Sequence, residues 1–450
     1  MICVHLSVTN TQRQVSAGKK SATARFLQSE ATGSILLLIC TITALTWANS
    51  PWSPAYFRII EAKIGFTWNE SRFVLSFGHW INDGLMALFF FVVGLEIKRE
   101  ILIGELSALK KAVLPVAAAV GGMVLPAVIY IALNRQGAGA RGWGIPMATD
   151  IAFAVGILAL LGQRVPVGLK IFLTALAIVD DLGAVTVIAL FYSDRLSIGP
   201  LIAAGFFLVL LAFAARLRIK RVVVYAVLVI GVWLGVFVSG IHATVAGILL
   251  AMIVPVRSRI DPKRFLAFAR HRLAELERSS LTDEITTTLK SDEMETLVEL
   301  HQTTSDVIPA GPAFERILHP VTAYVILPVF ALFNAGVVID TRIVHALANP
   351  VGLGVLLGLS VGKLVGITVA SWLVIRCQLA DMPVGVTWAQ IHGAAILAGV
   401  GFTMALFVSD LALENEQLLG FSKVGILAAS VLCAAGGYCV LRLALGRADK

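Results

Sequence analysis

The amino-acid sequence predicts an all-α polytopic membrane protein with about 12 transmembrane helices. The chain of 450 residues is 58% hydrophobic and only 14% charged, whereas a soluble domain is typically about one quarter charged. Its apolar residues fall into many separate runs of about 20, the length that spans a bilayer as a helix. The net charge of +8 does not indicate nucleic-acid binding, because the basic residues lie between the apolar runs, where they set orientation.

The apolar runs define the predicted spans and their orientation. They lie at about residues 32–49, 78–104, 112–134, 144–162, 168–192, 199–216, 221–240, 242–255, 317–338, 350–375, 388–412 and 418–444. Lys and Arg concentrate in alternate loops, and the positive-inside rule therefore predicts that both termini are cytoplasmic. Residues 1–30 are polar and basic, and no small-residue cleavage site follows, so we expect a cytoplasmic tail and a retained first helix.

One long polar stretch divides the predicted spans into two groups. Residues 257–316 mix charges with apolar residues at roughly helical spacing, which is typical of surface helices. We therefore predict helices 1–8 within residues 31–256, a cytoplasmic charged linker over 257–316, and helices 9–12 within 317–445.

Two adjacent carboxylates, Asp180 and Asp181, lie near the middle of the run 168–192. A charged side chain at the bilayer centre costs at least ~2.5–3.5 kcal/mol, and apolar packing gains nothing from an aspartate. Side chains at neighbouring positions of a helix point about 100° apart, so the two acids cannot both be hidden from lipid by chance. The alternative, that they only cap a helix kinked at Gly183, leaves this cost unexplained. The pair predicts an ion or proton site.

Other ionisable side chains within the runs are candidates for the same site. They are Asp83, Glu96, Asp150, His242 and Lys363. Lys363 is interpreted as the only cation deep within an apolar run, too far from either end to reach the interface. We therefore predict that it pairs with one of the buried acids, since an opposite charge at about 4 Å is worth ~4 kcal/mol at an effective dielectric near 20.

Two of the runs are interrupted by helix-breaking residues. The run 144–162 contains Pro146, Thr149 and Asp150, and the run 388–412 contains Gly399 and Gly401. Broken helices in corresponding halves of a transporter expose backbone groups and half-helix dipoles to the substrate. Glycine and proline are common in membrane helices, so the breaks indicate a site only together with Asp150 and Lys363.

The residue types favour exchange of a small hard cation for protons. Carboxylate oxygens suit such a cation, and it binds only when the carboxylate has lost its proton. The five cysteines show neither metal-ligand spacing nor a disulfide pattern. No nucleotide-binding motif occurs, so coupling to a nucleotide is not expected. The chain is predicted to be a transporter without a cofactor, not an enzyme.

Long motifs in the same order make the chain resemble the NhaA family of bacterial sodium/proton antiporters. They are INDGLMALFFFVVGLEIKRE (81–100), PMATDIAFAVGIL (146–158), FLTALAIVDDLGAV (172–185), SGIHATVAGILLA (239–251), LHPVTAYVILPVFALFNAGV (318–337), GKLVGI (362–367) and GVGFTMALF (399–407). The resemblance implies inverted repeats with two discontinuous crossing helices at about 144–162 and 388–412. It also implies a homodimer in the bacterial inner membrane that exports Na⁺, or Li⁺, for a larger number of protons in pH and sodium homeostasis.

The resemblance also assigns roles to individual residues. Asp181 resembles the principal sodium ligand and proton carrier, and Asp180 the acid that pairs with Lys363. Thr149 and Asp150 lie where the fourth helix of the family is broken, and they would balance the half-helix dipoles. The matching break in the eleventh helix includes Gly399, Gly401 and Thr403.

A second group of residues resembles the cytoplasmic cluster that sets pH dependence in some members. These candidates for pH regulation are Glu96, Arg99, His242, Glu315 and His319. The family pattern usually has a further histidine where this chain has Arg316. Arginine does not titrate near neutrality, so one candidate sensor is missing.

Two other functions fit the residues less well than cation exchange. A proton-coupled organic-solute transporter would need an aromatic or arginine-lined pocket, and no arginine lies within the runs near the acids. An intramembrane aspartyl protease needs two acids that share a proton, but the chain lacks the GxGD sequence around Asp181.

Overall fold

A computed structural model describes residues 30–68, 71–193, 196–217, 221–257, 261–280, 294–300, 303, 309–338 and 343–446. Residues 1–29 of the predicted tail, and parts of the predicted linker, lie outside the described residues. The helices are α1 (Glu30–Ala48), α2 (Ser53–Glu61), α3 (Met86–Leu102), α4 (Leu109–Leu133), α5 (Ile151–Leu160), α6 (Val167–Phe191), α7 (Ile198–Arg216), α8 (Val222–Val238), α9 (Ala243–Ile253), α10 (Pro262–Ser280), α11 (Ala310–Val321), α12 (Leu327–Asn334), α13 (Ile343–Ala348), α14 (Pro350–Leu357), α15 (Lys363–Arg376), α16 (Trp388–Leu397), α17 (Phe402–Ala412) and α18 (Glu416–Gly446).

The helices have the lengths and composition of a polytopic membrane protein. Within the described part of the chain, seven helical stretches are long and apolar enough to cross a bilayer, or up to nine if each bent pair counts as one span. The bent pairs are α1 with α2, at 111°, and α16 with α17, at 45°. The prediction of an all-α polytopic membrane protein is confirmed at this level. The bend after α1 was not predicted.

A short β-hairpin was also not predicted. Strands β1 (Lys63–Trp68) and β2 (Ser71–Ser76) pair antiparallel, with Lys63 opposite Ser76. They lie between α2 and the helical segment that leads into α3. The sequence analysis assigned no structure between the runs 32–49 and 78–104, because six-residue strands give a weak signal beside membrane-length runs.

Close packing of α4 against α15 fixes the position of Lys363. A Cβ atom on Gly121 would lie 2.3 Å from the carbonyl oxygen of Gly366, and one on Gly366 would lie 2.1 Å from the carbonyl oxygen of Gly121. Small residues at such crossings let membrane helices approach closely in place of a hydrophobic driving force. A π-helical segment, Gly358–Gly362, leads directly into α15. Segments of this kind occur frequently at functional sites.

The described part of the linker contains a helical pair. Arg272 of α10 lies 2.8 Å from Glu275 and 2.6 Å from Glu299, which belongs to the helical segment 294–300. Arg272 also lies over the ring of Phe268. Within the described residues of the predicted linker, Pro262–Ser280 and the segment 294–300 are helical.

Candidate ion-binding site

The two predicted helix breaks contact each other through hydrogen bonds. Residues 148–150 precede α5 in a non-helical conformation, and residues 398–401 separate α16 from α17. The backbone N–H of Asp150 donates to the carbonyl oxygen of Val400 at 2.7 Å. The hydroxyl of Thr149 donates to the carbonyl oxygen of Ala398 at 2.9 Å. Each break leaves backbone groups without an intrahelical hydrogen bond, and residues of the other break supply the missing partner.

The carboxylate of Asp150 serves two helix N-termini at once. It caps α5 by accepting from the N–H of Phe153 at 3.1 Å. It also accepts from the N–H of Thr403 at 2.9 Å, in the first turn of α17, and from the Thr403 hydroxyl. Each helix N-terminus carries about half a positive charge. One buried carboxylate therefore balances both half-helix dipoles, and Thr403 has a direct contact that the sequence analysis did not foresee.

Lys363 and Asp180 form an ion pair in the interior. Both side chains are fully buried, and Nζ of Lys363 lies 2.5 Å from Oδ2 of Asp180. The same ammonium donates to the Thr149 hydroxyl at 2.9 Å. Asp180 is therefore the acid that pairs with Lys363. Thr149 connects this ion pair to the helix break before α5.

Asp181, the next residue along α6, is in a different situation. Its side chain is buried, with 3% of the residue exposed. Among the described residues we find no hydrogen-bond donor to its carboxylate, although Asp180, Asp150 and Glu96 are close enough to interact with it electrostatically. Oδ1 of Asp180 is buried and has no hydrogen-bond partner among the described residues. Buried carboxylate oxygens without donors need a cation or protons, because an unpaired buried charge is unfavourable.

Three of the candidates for pH regulation, Glu96, Arg99 and Glu315, lie together near the C-terminal end of α3. Arg99 lies 3.1 Å from Glu315 of α11 and 3.0 Å from Glu100. Glu96 interacts electrostatically with Arg99 and Glu315.

The end of α9 belongs to the same region, since Lys98 donates to the carbonyl oxygens of Met252 and Val254. His319, one turn after Glu315 in α11, is exposed.

His242 lies apart from this group, whereas the resemblance matched it to the cluster or its neighbourhood. It precedes the first residue of α9, about 16 Å along the helix from the Lys98 contacts. Its Nε2 lies 3.3 Å from Oδ1 of Asp83, and its ring packs against Phe407.

The sequence analysis missed a second buried ion pair. Lys423 of α18 lies 2.9 Å from Asp410 of α17, and each side chain is 15% exposed. Lys423 also donates to the carbonyl oxygen of Asn334, whose side chain donates to Asn82. Lys423 lies inside the run 418–444, and comparing both runs for opposite charges would have found the pair.

The chain is similar to known proteins over almost its whole length. The family model for Na⁺/H⁺ antiporter 1 matches residues 24–441. The chain belongs to this family. The Na⁺/H⁺ antiporter NhaA of Oleidesulfovibrio alaskensis is 44% identical over 421 residues, covering 94% of this chain and 93% of that protein. The Na⁺/H⁺ antiporter NhaA of Koribacter versatilis is 45% identical over 435 residues, covering 94% and 92%. That of Bordetella parapertussis is 44% identical over 419 residues, covering 93% and 95%.

Membership of the family decides several of the sequence predictions. Antiporters are transporters and not enzymes, and those of this family need no cofactor. The predictions of an antiporter, of sodium/proton exchange and of a multi-pass membrane protein are confirmed. The alternative of a proton-coupled organic-solute transporter finds no support among these relatives.

Proposed function

We propose that this chain exports Na⁺ or Li⁺ in exchange for a larger number of protons, and that Asp181 is the principal cation ligand. The observation that supports this most directly is the contrast between the two neighbouring acids. Asp180 is held by Lys363 at 2.5 Å, whereas Asp181 accepts no hydrogen bond from the described residues. A buried carboxylate without a donor is suited to alternate between a proton and a cation.

Competition for the same oxygens makes this arrangement an exchanger. The cation needs ionised carboxylates, so its binding expels protons, and a proton gradient reverses the reaction. Asp181 interacts electrostatically with both Asp180 and Lys363, so three titratable groups are close to the proposed cation. Binding one cation there can therefore release more than one proton, which makes the exchange electrogenic.

Thr149, Asp150, Gly399, Gly401 and Thr403 have a supporting role in this proposal. They hold the two helix breaks together and keep the half-helix dipoles balanced while the charge at Asp181 changes. The hydrogen bonds from Thr403 to Asp150 and from Thr149 to Ala398 support this role. The helices at about 144–162 and 388–412 would then be the discontinuous crossing helices of two inverted repeats.

We further propose 12 transmembrane helices, with both termini in the cytoplasm of a bacterial inner membrane. Besides the spans already described, the shorter apolar helices Val223–Val238 and Ala243–Ile253 and α3 would complete the count. The residues between 257 and 316 would be a cytoplasmic linker. The concentration of Lys and Arg in alternate loops supports this orientation.

The proposed homodimer would use the β-hairpin. Within the described residues β1 and β2 form a sheet of two strands only, and each outer edge leaves backbone donors and acceptors unpaired. Such edges pair readily with a second chain. Continuous pairing across two hairpins would give a four-stranded sheet between protomers.

For pH regulation we propose the group of Glu96, Arg99, Glu315 and His319, with His242 acting separately through Asp83. The ion pair of Arg99 with Glu315 joins α3 to α11. α3 also carries Glu96, which interacts with Asp181. A change of charge in this group therefore reaches the cation site through α3.

Everted membrane vesicles test the proposed function. With the interior acidified and a pH-sensitive dye present, Na⁺, Li⁺ and K⁺ are added separately between about pH 6.5 and 8.5. The proposal predicts proton release on adding Na⁺ or Li⁺ and none on adding K⁺. A lack of response to all three cations would contradict it.

A further inference from the structure

A recess of about 180 Å³ lies between the end of α5 and the last turns of α18. Its lining combines three leucines with three polar side chains: Leu160, Leu161, Leu445, Arg164, Tyr438 and Arg442. Gly162 turns the chain between α5 and Arg164 with a φ of 72°, a conformation that glycine adopts without strain. The turn brings Arg164 to the same recess as Arg442, which lies 278 positions later in the chain.

The two arginines share this recess without a neutralising acid. No acidic side chain belongs to its lining, and among the described residues neither guanidinium forms an ion pair with a carboxylate. Two cations around one small volume repel each other, and an anion between them removes that repulsion. A guanidinium presents paired N–H donors that match a phosphate group, and the tyrosine hydroxyl adds a further donor.

The apolar part of the recess borders a surface suited to lipid. Leu160 is 61% exposed and Leu443, beside Arg442, is 70% exposed. On a membrane protein such leucines face acyl chains, and tyrosine and arginine are typical of the boundary between acyl chains and headgroups. In the proposed orientation this boundary is the cytoplasmic one, where the basic loops lie. The recess therefore has a cationic part and an apolar part side by side.

We propose that this recess binds the phosphate headgroup of an anionic phospholipid, with Arg164, Arg442 and Tyr438 on the phosphate and Leu160 against the first acyl carbons. The site goes beyond the proposed cation exchange and shares no residue with it. It lies at the far end of α5, whose first turn is capped by Asp150. A bound lipid thus contacts the same half-helix that carries part of the cation site.

Native mass spectrometry of the full-length protein in detergent tests the proposal. The probes are phosphatidylglycerol, phosphatidylcholine with the same acyl chains, and inorganic phosphate. The wild type should bind phosphatidylglycerol in preference to phosphatidylcholine, and inorganic phosphate should not displace it. Arg164→Gln and Arg442→Gln should each weaken phosphatidylglycerol binding about fivefold, the usual effect of one basic residue on anionic lipid.

Arg376→Gln is the matched control, because Arg376 is an exposed arginine at the end of α15 and does not line the recess. Its phosphatidylglycerol binding should equal that of the wild type. If the glutamine variants fail to fold, Arg164→Lys and Arg442→Lys keep the charge and lose the paired donors, and their affinity must still fall. If the double variant Arg164→Gln with Arg442→Gln bound phosphatidylglycerol as tightly as the wild type, the proposal would be overturned. Equal binding of both lipids, or displacement by inorganic phosphate, would also overturn it.

Discussion

Lys363 and Asp180, 183 positions apart in the sequence, meet at 2.5 Å in a fully buried ion pair. The pair occupies one oxygen of the Asp180 carboxylate, and the other oxygen has no partner among the described residues. Asp181 is the neighbouring buried acid, and its carboxylate accepts no hydrogen bond within the same part of the chain. The lysine therefore distinguishes between two adjacent carboxylates of identical chemistry.

Removing the lysine alone should destabilise the fold. Lys363→Met leaves the Asp180 carboxylate buried without its cation, and breaking a buried ion pair from one side costs about 3–5 kcal/mol. The double variant Lys363→Met with Asp180→Asn removes both charges and should recover most of the stability. Thermal unfolding in detergent measures both variants. A single variant as stable as the wild type would contradict the importance of the pair.

The Thr403 hydroxyl should matter for ion affinity more than for folding. Thr403→Val removes one donor to the shared carboxylate of Asp150 and leaves a buried acceptor short of a partner, at a cost of about 1–3 kcal/mol. We expect the apparent KM for Na⁺ to rise about tenfold, because a factor of ten corresponds to ~1.4 kcal/mol. Thr403→Ser keeps the hydroxyl and should remain near the wild type. Equal KM values for the valine and serine variants would be inconsistent with this role.

The ion pair of Asp410 with Lys423 should contribute far more than the surface pair of Arg141 with Glu414. Lys423→Ala leaves a mostly buried carboxylate unpaired and should cost about 3 kcal/mol, and Asp410→Asn in the same chain should restore stability. Arg141 and Glu414 are 52% and 87% exposed, so Arg141→Ala should cost less than about 1 kcal/mol. Thermal unfolding of the three variants gives the comparison. A similar loss from both pairs would refute it.

Sodium affinity should fall as the pH falls. Protons and the cation compete for the same carboxylates, so at pH values where these groups are protonated the apparent KM for Na⁺ rises about tenfold per pH unit for each proton displaced. KM measured across about pH 6.5–8.5 gives the number of protons from the slope. A KM independent of pH over the whole range, with transport intact, would exclude competition.

The sequence was sufficient to predict those features that follow from the free-energy cost of burying a charge. Lys363 required an acid because an ammonium in an apolar run is costly, and the breaks at Thr149 and Gly399 were visible from helix-breaking residues. The choice of Asp180 over Asp181 was not available from the pattern, because it depends on how α6 and α15 are rotated against each other. Only the resemblance indicated it.

Other features depend on tertiary contacts between groups that give little or no signal by themselves. Asn82 and Asn334 are uncharged, and the hydrogen bond between them joins residues 252 positions apart. Thr403 contacts Asp150 twice because the N-termini of α5 and α17 lie next to each other. Neither apolar run alone reveals this proximity. That His242 lies apart from the group around Arg99 could not be predicted, because a motif gives position in the sequence and not depth in the membrane.

If Asp181 exchanges a proton for Na⁺, the purified protein should release protons when Na⁺ binds. Adding Na⁺ to the unbuffered protein in detergent should acidify the solution in the wild type. It should also do so in Asp381→Asn, a control at an exposed acid. In Asp181→Asn, which cannot hold the exchanged proton, release on Na⁺ addition should disappear. Undiminished proton release by the Asp181→Asn protein would contradict the account.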